Sequence, residues 1–372
     1  MIAFFRRIRA LIGKELLTLF RDPKVRIILI APPMMQLFIF SFAATLEVKN
    51  VSVAVLNQDN GKHGLALVHR VAASPTFTRM VFVQSQAELV PLLDEQRIIA
   101  ALHIAPDFSR GVESGQGASV QLIMDGRRSN AAQIVSGYIT SIITAYSMEI
   151  SKTSGGTPPP ALTIERNWFN ENLIYLWFTV PSLVAVLAML ITIMVTALSV
   201  AREKELGTFE QLLVSPLVPW ELLLGKTLPA ILVGFCEGLM IVAISVTIFR
   251  IPFTGSFLLL AATLLVFVIS LVGIGLFLSS ISSTQQQAIL GAFVFLVPAV
   301  TLSGFASPVE NMPHWLQVAG LVNPLRHALI PIKGLFLKNM PAIDVWANIW
   351  PMLIIAVVGL VLSGWFFTRR LE

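Results

Sequence analysis

Six almost wholly apolar stretches, 27–46, 173–200, 228–249, 256–279, 286–305 and 346–368, constrain this chain more than any other feature. Each is long enough to cross a bilayer core, which takes about 20 predominantly apolar residues per helix. Charge is correspondingly scarce. Only 13% of the 372 residues are charged, about half of the roughly 25% carried by an ordinary soluble domain. A disordered chain and a single soluble globule are both excluded, because neither could be hydrated with so little charge. The fold class predicted is an α-helical integral membrane protein with six transmembrane helices and an inserted α/β extracytoplasmic domain.

Orientation follows from the basic residues. Positions 1–26 hold Arg6, Arg7, Arg9, Lys14, Arg21, Lys24 and Arg26 against Glu15 and Asp22, and Arg369 and Arg370 close the chain. Cytoplasmic flanks carry the excess of Lys and Arg, so both termini are predicted to be cytoplasmic. The connection 201–226 is then cytoplasmic as well, and 47–172 lies outside. The overall net charge of +5 is already reached by residues 1–26. No distributed basic face is left for nucleic acid, so none is expected as a partner.

The segment 1–23 places Phe4, Phe5, Ile8, Leu11, Ile12, Leu16, Leu19 and Phe20 at helical spacing, with Arg6, Arg9, Lys14 and Arg21 on other faces. Such a cationic amphipathic helix lies in the headgroup plane, leading into a first span over 24–46. That span carries Pro32-Pro33, which should bend it. Between spans one and two, short β-type runs alternate with helical stretches. Strands are predicted at Val51–Leu56, Met80–Gln84, Ile98–Ile104 and Val120–Met124. Helices are predicted up to Ala73, over Gln86–Glu95, over Pro106–Val112 and over Ser129–Ile150. The Gly-Gly-Thr-Pro-Pro-Pro stretch at 155–160 reads as a linker back to the membrane. Asp59 and Asp125 each end a strand, where a carboxylate commonly caps the helix that follows.

No catalytic constellation is legible. His63, His69 and His103 lack metal-ligand spacing, and no Ser or Cys stands in a nucleophile motif. Gly225-Lys226-Thr227 has the ending of a phosphate-binding loop, but Trp220 stands where the pattern needs its first glycine. Nothing in the sequence binds a cofactor or a metal. The lone Cys236 excludes an internal disulfide.

The connection 201–226 is the most regular polar segment. The charged run Arg202, Glu203, Lys204, Glu205 is followed by Gly207-Thr208, which can break and restart the helix. Glu210 and an apolar edge of Phe209, Leu212 and Leu213 come next, and Pro216 stops the run. Taken with Glu221 and Gly225-Lys226, this stretch resembles the signature of ABC-2 type transporter permeases. Lys14-Glu15-Leu16 with Arg21-Asp22-Pro23 is similar to that family's N-terminal segment. Ser303-Gly304-Phe305, Pro308, Asn311-Met312-Pro313, Trp315-Leu316 and Asn323-Pro324-Leu325 resemble its extracytoplasmic stretch before the last span. The similarity runs through essentially the whole chain. The branch resembled is that of bacterial exporters with a large periplasmic domain between spans one and two.

The resemblance implies a permease dimer, of two copies or of paralogues, in the bacterial inner membrane. It further implies a separate ABC ATPase subunit that uses ATP on the pair's behalf, and in some members of this shape a periplasmic adaptor protein. The expected ATPase-coupling residues are Glu203, Lys204, Glu205, Gly207, Thr208, Glu210 and Pro216, with the three glutamates contacting the ATPase. Lys14, Glu15, Arg21 and Asp22 belong to the elbow helix that shares the stroke. A small amphiphile or drug-like molecule is the substrate class implied.

Residues 173–372 are thus read as a five-helix transmembrane domain. Its segment 306–345, broken by five prolines, is expected to form short helices re-entering the outer leaflet. Within the spans, Glu237 is the one charged residue. A charge at the bilayer centre costs about 2.5–3.5 kcal/mol on insertion scales, so it is either bonded to another helix or placed on a translocation path. Two readings of another class stay open at this point. One is a sensory or mechanotransmitting protein whose outer domain binds a ligand without transport; the other is a secondary transporter, against which one buried Glu and no evident repeat argue.

Overall fold

The computed structural model describes residues 2–21, 23–43, 51–153, 168–170, 174–208 and 218–369. The chain divides into two compact units, Met1–Ala44 with Asn167–Glu372, and Thr45–Arg166. The linker expected at 155–160, the apolar edge at 209–216 with Glu210 and Pro216, and Asp22 lie outside the described residues.

The first unit begins with α1 (Ile2–Arg21) and α2 (Pro23–Ala43), which carries Pro32 and Pro33 internally. Leu37 of α2 is fully buried, while Ile27, Ile30, Met35 and Phe42 are exposed, a one-sided pattern that suits a helix at the margin of a bundle.

The second unit is α/β. Its elements are β1 (Ser52–Asn57), α3 (Lys62–Ala72), β2 (Arg79–Phe82), α4 (Gln86–Asp94), β3 (Ala100–Ile104), α5 (Phe108–Ser114), β4 (Val120–Met124) and α6 (Ser129–Thr153). The sheet order is β2-β1-β3-β4; β1 runs parallel to β2 and β3, and β4 is antiparallel to β3. Parallel neighbours need crossovers, which α3 and α4 supply. Both faces of β1 are covered, as its unbroken apolar run requires. Val53 and Val55 pack with Leu67, Val71, Phe108, Val135 and Ile139. Ala54 and Leu56 pack with Leu89, Ile98 and Ala101.

The first unit resumes with α7 (Tyr175–Glu205), α8 (Pro219–Thr247), α9 (Phe257–Ile281), α10 (Gln285–Leu302), α11 (His314–Ala319), α12 (Pro324–Leu337) and α13 (Ala342–Arg369). Among the described residues, five helices, α7, α8, α9, α10 and α13, are long and apolar enough to cross a membrane. The sixth expected run falls in α2, whose apolar stretch among the described residues is Leu29–Phe42. Lys24 and Arg26 occupy the start of that helix.

Most of α7 is buried, with α2, α8, α9, α10 and α12 packed against it and α13 packed on α9. Close approach is bought with glycine. A Cβ at Gly273 of α9 would meet the carbonyl carbon of Gly359 in α13 at 2.8 Å, and Gly275 lies against Thr196 of α7. The segment 306–345 holds one helix longer than the short pieces expected, α12. Its Leu325, Ala328, Leu329, Ile332, Leu335 and Phe336 are all core residues of this unit. Asn323 starts α12 by accepting from the amide of Leu325, and its Nδ2 donates to Ala299 O of α10 at 2.6 Å. The other end is closed by the amides of Thr254 and Gly255, which donate to Phe336 O and Leu335 O.

Candidate functional site

The residues singled out in the connection 201–226 and in the N-terminal helix converge at one end of the first unit. Lys14 Nζ of α1 donates to Glu203 Oε1 of α7 at 3.0 Å. Lys226 Nζ of α8 stands 2.6 Å from Glu203 Oε2, a charge contact, and donates to Glu15 Oε1 at 3.2 Å and to Ser199 O at 3.3 Å. Two ammonium groups thus balance two carboxylates. The Lys226 side chain is 4% exposed. A buried ion needs pairing and hydrogen bonds together to offset its lost hydration, and this cluster supplies both.

Further contacts fix α1 across the first turns of α8. Arg7 Nη2 lies 3.5 Å from Glu221 Oε1, and Glu221 Oε2 also accepts from the amide of Val218, capping that helix. The rings of Phe4 and Trp220 sit 4.8 Å apart. Gly225 leaves room for Leu11, whose Cβ would be 2.9 Å from a Cβ at that position.

The charged end of α7 is organised in the same way. Lys204 Nζ donates to Ser280 O and Ser282 O at the end of α9, carbonyls that a helix C-terminus leaves without partners. Glu205 Oε2 accepts from the amide of Gln285 at the start of α10, at 2.7 Å, where a negative charge also complements the helix dipole. Gly207, with φ +70°, ends α7. Its amide donates to Lys204 O and that of Thr208 to Glu203 O, a Schellman closure that requires the left-handed conformation. The break expected at Gly207-Thr208 is therefore present.

Glu203 was expected to present its charge to a partner; within the chain it instead turns inward, because two ammonium groups converge on it. Glu205 and Arg21 are exposed. Sequence reasoning passed over Lys226, Glu221 and Arg7 as site residues. The available signal was Lys226 itself, a charge at the edge of an apolar span that could be carried only with acidic partners.

Glu237 lies elsewhere, well along α8. It is 7% exposed, and among the described residues neither carboxyl oxygen has a hydrogen-bond partner. The first alternative drawn from the sequence, a bond to another helix, is not what these residues form. One turn back, Gly234 rests against Thr192 of α7, whose Oγ1 is also without a partner among the described residues.

The α/β unit has a polar centre of its own. Asp59 accepts from Ser109 Oγ at 2.5 Å and from the amides of Gly64 and Ser109. Burial acts to raise its pKa, but the Ser109 hydroxyl and these amides outweigh it and hold the carboxyl below the ordinary value. Asp125 accepts instead from the amide and Nε of Arg127. His63 Nδ1 lies 2.9 Å from the hydroxyl of Tyr146. Beside them opens a cleft of about 280 Å³ walled by Phe108, Val112, Val120, Ile143 and Ile150.

A bundle of long apolar helices, joined at one end by buried charges and interrupted by a folded α/β insertion, defines a multi-pass membrane protein. The chain matches the family described as ABC-2 family transporter protein over residues 25–365, and it belongs to that family. It is 44% identical over 353 residues to the probable multidrug ABC transporter permease YbhR of Escherichia coli, covering 94% of this chain and 95% of that protein. It is 31% identical over 376 residues to the probable multidrug ABC transporter permease YbhS of the same organism, covering 99% and 98%. A third relative there, the inner membrane transport permease YhhJ, is 27% identical over 354 residues. The chain is accordingly an ABC transporter permease and not itself an enzyme.

Proposed function

We propose that this chain is the membrane-spanning subunit of an ATP-binding cassette exporter, moving a small amphiphile or drug-like molecule out of the cytoplasm or inner membrane. It acts as a dimer with a second copy or a paralogue. A separate ATPase subunit binds and hydrolyses the ATP. The chain has six spans in a bacterial inner membrane, with both termini cytoplasmic and the α/β unit in the periplasm, where an adaptor protein can engage it. The basic excess before the first span supports this orientation, and the similarity to the probable multidrug permeases YbhR and YbhS supports the substrate class.

The observation that carries the reading is the cluster of Lys14, Glu15, Glu203 and Lys226. It makes α1, the end of α7 and the start of α8 one rigid foot, next to the described ends at Thr208 and Val218. A push on the connection 201–226 or on α1 then displaces both long helices together. Glu205, Glu210 and Pro216 form the contact with the ATPase, Lys204, Gly207 and Thr208 shape the turn beneath it, and Glu203 ties the turn to the elbow helix. Arg21 and Asp22 end that elbow at the membrane surface. Glu237 stands on the translocation path.

Co-purification tests the reading. The tagged chain, expressed with an ATPase encoded beside it, should retain that ATPase. Vesicles holding both should expel a fluorescent amphiphile only when ATP is supplied. A chain that retains no ATPase, or vesicles that export without ATP, would overturn it.

A further inference from the structure

The seam between α7 and α8 can be followed residue by residue from the charged foot into the bundle. At its lower end Lys226 meets Glu203 and Ser199. Higher up, Gly234 meets Thr192, and a Cβ at Gly238 would stand 3.7 Å from Ala188 Cβ. The two helices are antiparallel along this line. Glu237 falls on the same face of α8 as Lys226 and the buried Ala230 and Ile241, so its carboxyl is turned into the bundle and not to the outer surface of the helix.

Its depth follows from helix geometry. Eleven residues separate Lys226 from Glu237, a rise of about 16 Å at 1.5 Å per residue. That is about half of a 30 Å hydrocarbon core. If the charged foot marks one membrane surface, Glu237 is at the midplane, where charge is most expensive.

Among the described residues, no basic side chain relieves it. Lys226 is held by Glu15 and Glu203, half a bilayer away. Lys333 of α12 stands over the ring of Phe178, 4.5 Å from its centroid. Phe178 is ten residues from Ala188 along α7, another 15 Å or so in the opposite direction. Between these levels the seam offers Glu237, the hydroxyl of Thr192, and apolar walls from Ala188, Leu264 and Val268.

We propose that Glu237, with Thr192 one turn away across the α7–α8 seam, is the recognition point for an organic cation, an apolar molecule carrying a quaternary or protonated centre. This rests on the reading of the chain as a permease and names the substrate class for the path on which Glu237 stands. The carboxylate supplies the countercharge and the Thr192 hydroxyl orients it. The apolar walls receive the rest of the molecule. A diffuse cation of this kind is itself at home in lipid, and it supplies the countercharge that none of the described residues places beside the carboxyl. The close packing at Gly234 and Gly238 means that α7 and α8 must part to admit it, and both are anchored at the foot.

The test is equilibrium binding of radiolabelled tetraphenylphosphonium to the full-length chain in lipid nanodiscs. Wild type should bind saturably. Glu237→Gln should weaken binding at least tenfold, and Glu237→Asp should stay within a few-fold of wild type. Thr192→Val, which keeps the shape of the seam, should weaken binding by a smaller factor, and this arm holds even if the Gln variant folds poorly. Neutral Nile red should not compete. Saturable binding that both Glu237→Gln and Thr192→Val leave unchanged, or no saturable binding by the folded wild type, overturns the proposal. Retention of an ATPase by the wild-type chain involves neither residue, so failure of the permease reading would show itself separately.

Discussion

Lys226 of α8 closes on Glu203 of α7 at 2.6 Å while also holding Glu15 of α1. One ammonium group therefore joins three helices. Two of them carry the seam that leads to Glu237, so any force applied at the foot reaches the middle of the bundle through covalent helices and not through a chain of soft contacts.

Replacing Lys226 with Ala leaves Glu203 and Glu15 facing each other with Lys14 as the remaining cation. Removing one partner from a buried ion cluster costs about 3–5 kcal/mol, so the melting temperature of the purified chain should fall steeply. The charge swap Lys226→Glu with Glu203→Lys should recover part of the loss. Equal melting of the single variant and wild type would show that the cluster contributes nothing.

At the seam, Gly234→Ala places a methyl group against the Thr192 hydroxyl. Overpacking of this kind typically costs about 1–3 kcal/mol. Thr192→Ala should relieve it, so the double variant is expected to melt above the Gly234→Ala chain. Additive losses would place the strain elsewhere.

Gly207→Ala forces a side chain into the left-handed conformation that ends α7. The expected cost is about 1–2 kcal/mol. In vesicles with the ATPase, substrate exported per ATP hydrolysed should drop, because the turn that leads into the coupling segment is misdirected. Glu205→Lys should lower the same ratio, since it puts positive charge at the amide of Gln285. An unchanged ratio in both would remove this turn from the coupling route.

Acid should loosen the α/β unit selectively. The Asp59 carboxyl is held below its ordinary value of 3.8, so it contributes stability above that pH, and the contribution is lost as pH falls through the folded-state value. Hydrogen exchange of the β1 and β3 amides should accelerate across that range. Asp59→Asn should start from a lower protection and show a flatter pH dependence.

The strands of the α/β unit were legible because each is a short apolar run bounded by turn residues; Val120–Met124 falls where its pattern puts it. Long helices such as α9 declare themselves by length and apolarity alone. Segment 306–345 was harder to read. Its prolines at 324 and 331 suggested interruptions, yet Pro324 occupies the first turn of α12, where no amide partner is needed, and the helix continues through Pro331. The site was half legible for a different reason. Glu203, Lys14 and Glu15 stand out as charges near spans, but their pairing depends on α1 folding back over residues nearly two hundred positions away. Periodicity within a segment carries no record of that. Thr192 is an ordinary hydroxyl on a buried helix until Gly234 is seen across from it.

The same separation has a consequence for how the chain is made. Lys14 and Glu203 are 189 positions apart, and Glu15 and Lys226 are 211. At about 5–20 residues per second, the N-terminal helix leaves the ribosome some 10–40 s before its last partner. During that interval its charges must be satisfied by water and headgroups at the membrane surface, and only completion of α8 draws them in. Closure of the foot is thus a late event of biogenesis, one that a chain arrested before Lys226 cannot reach.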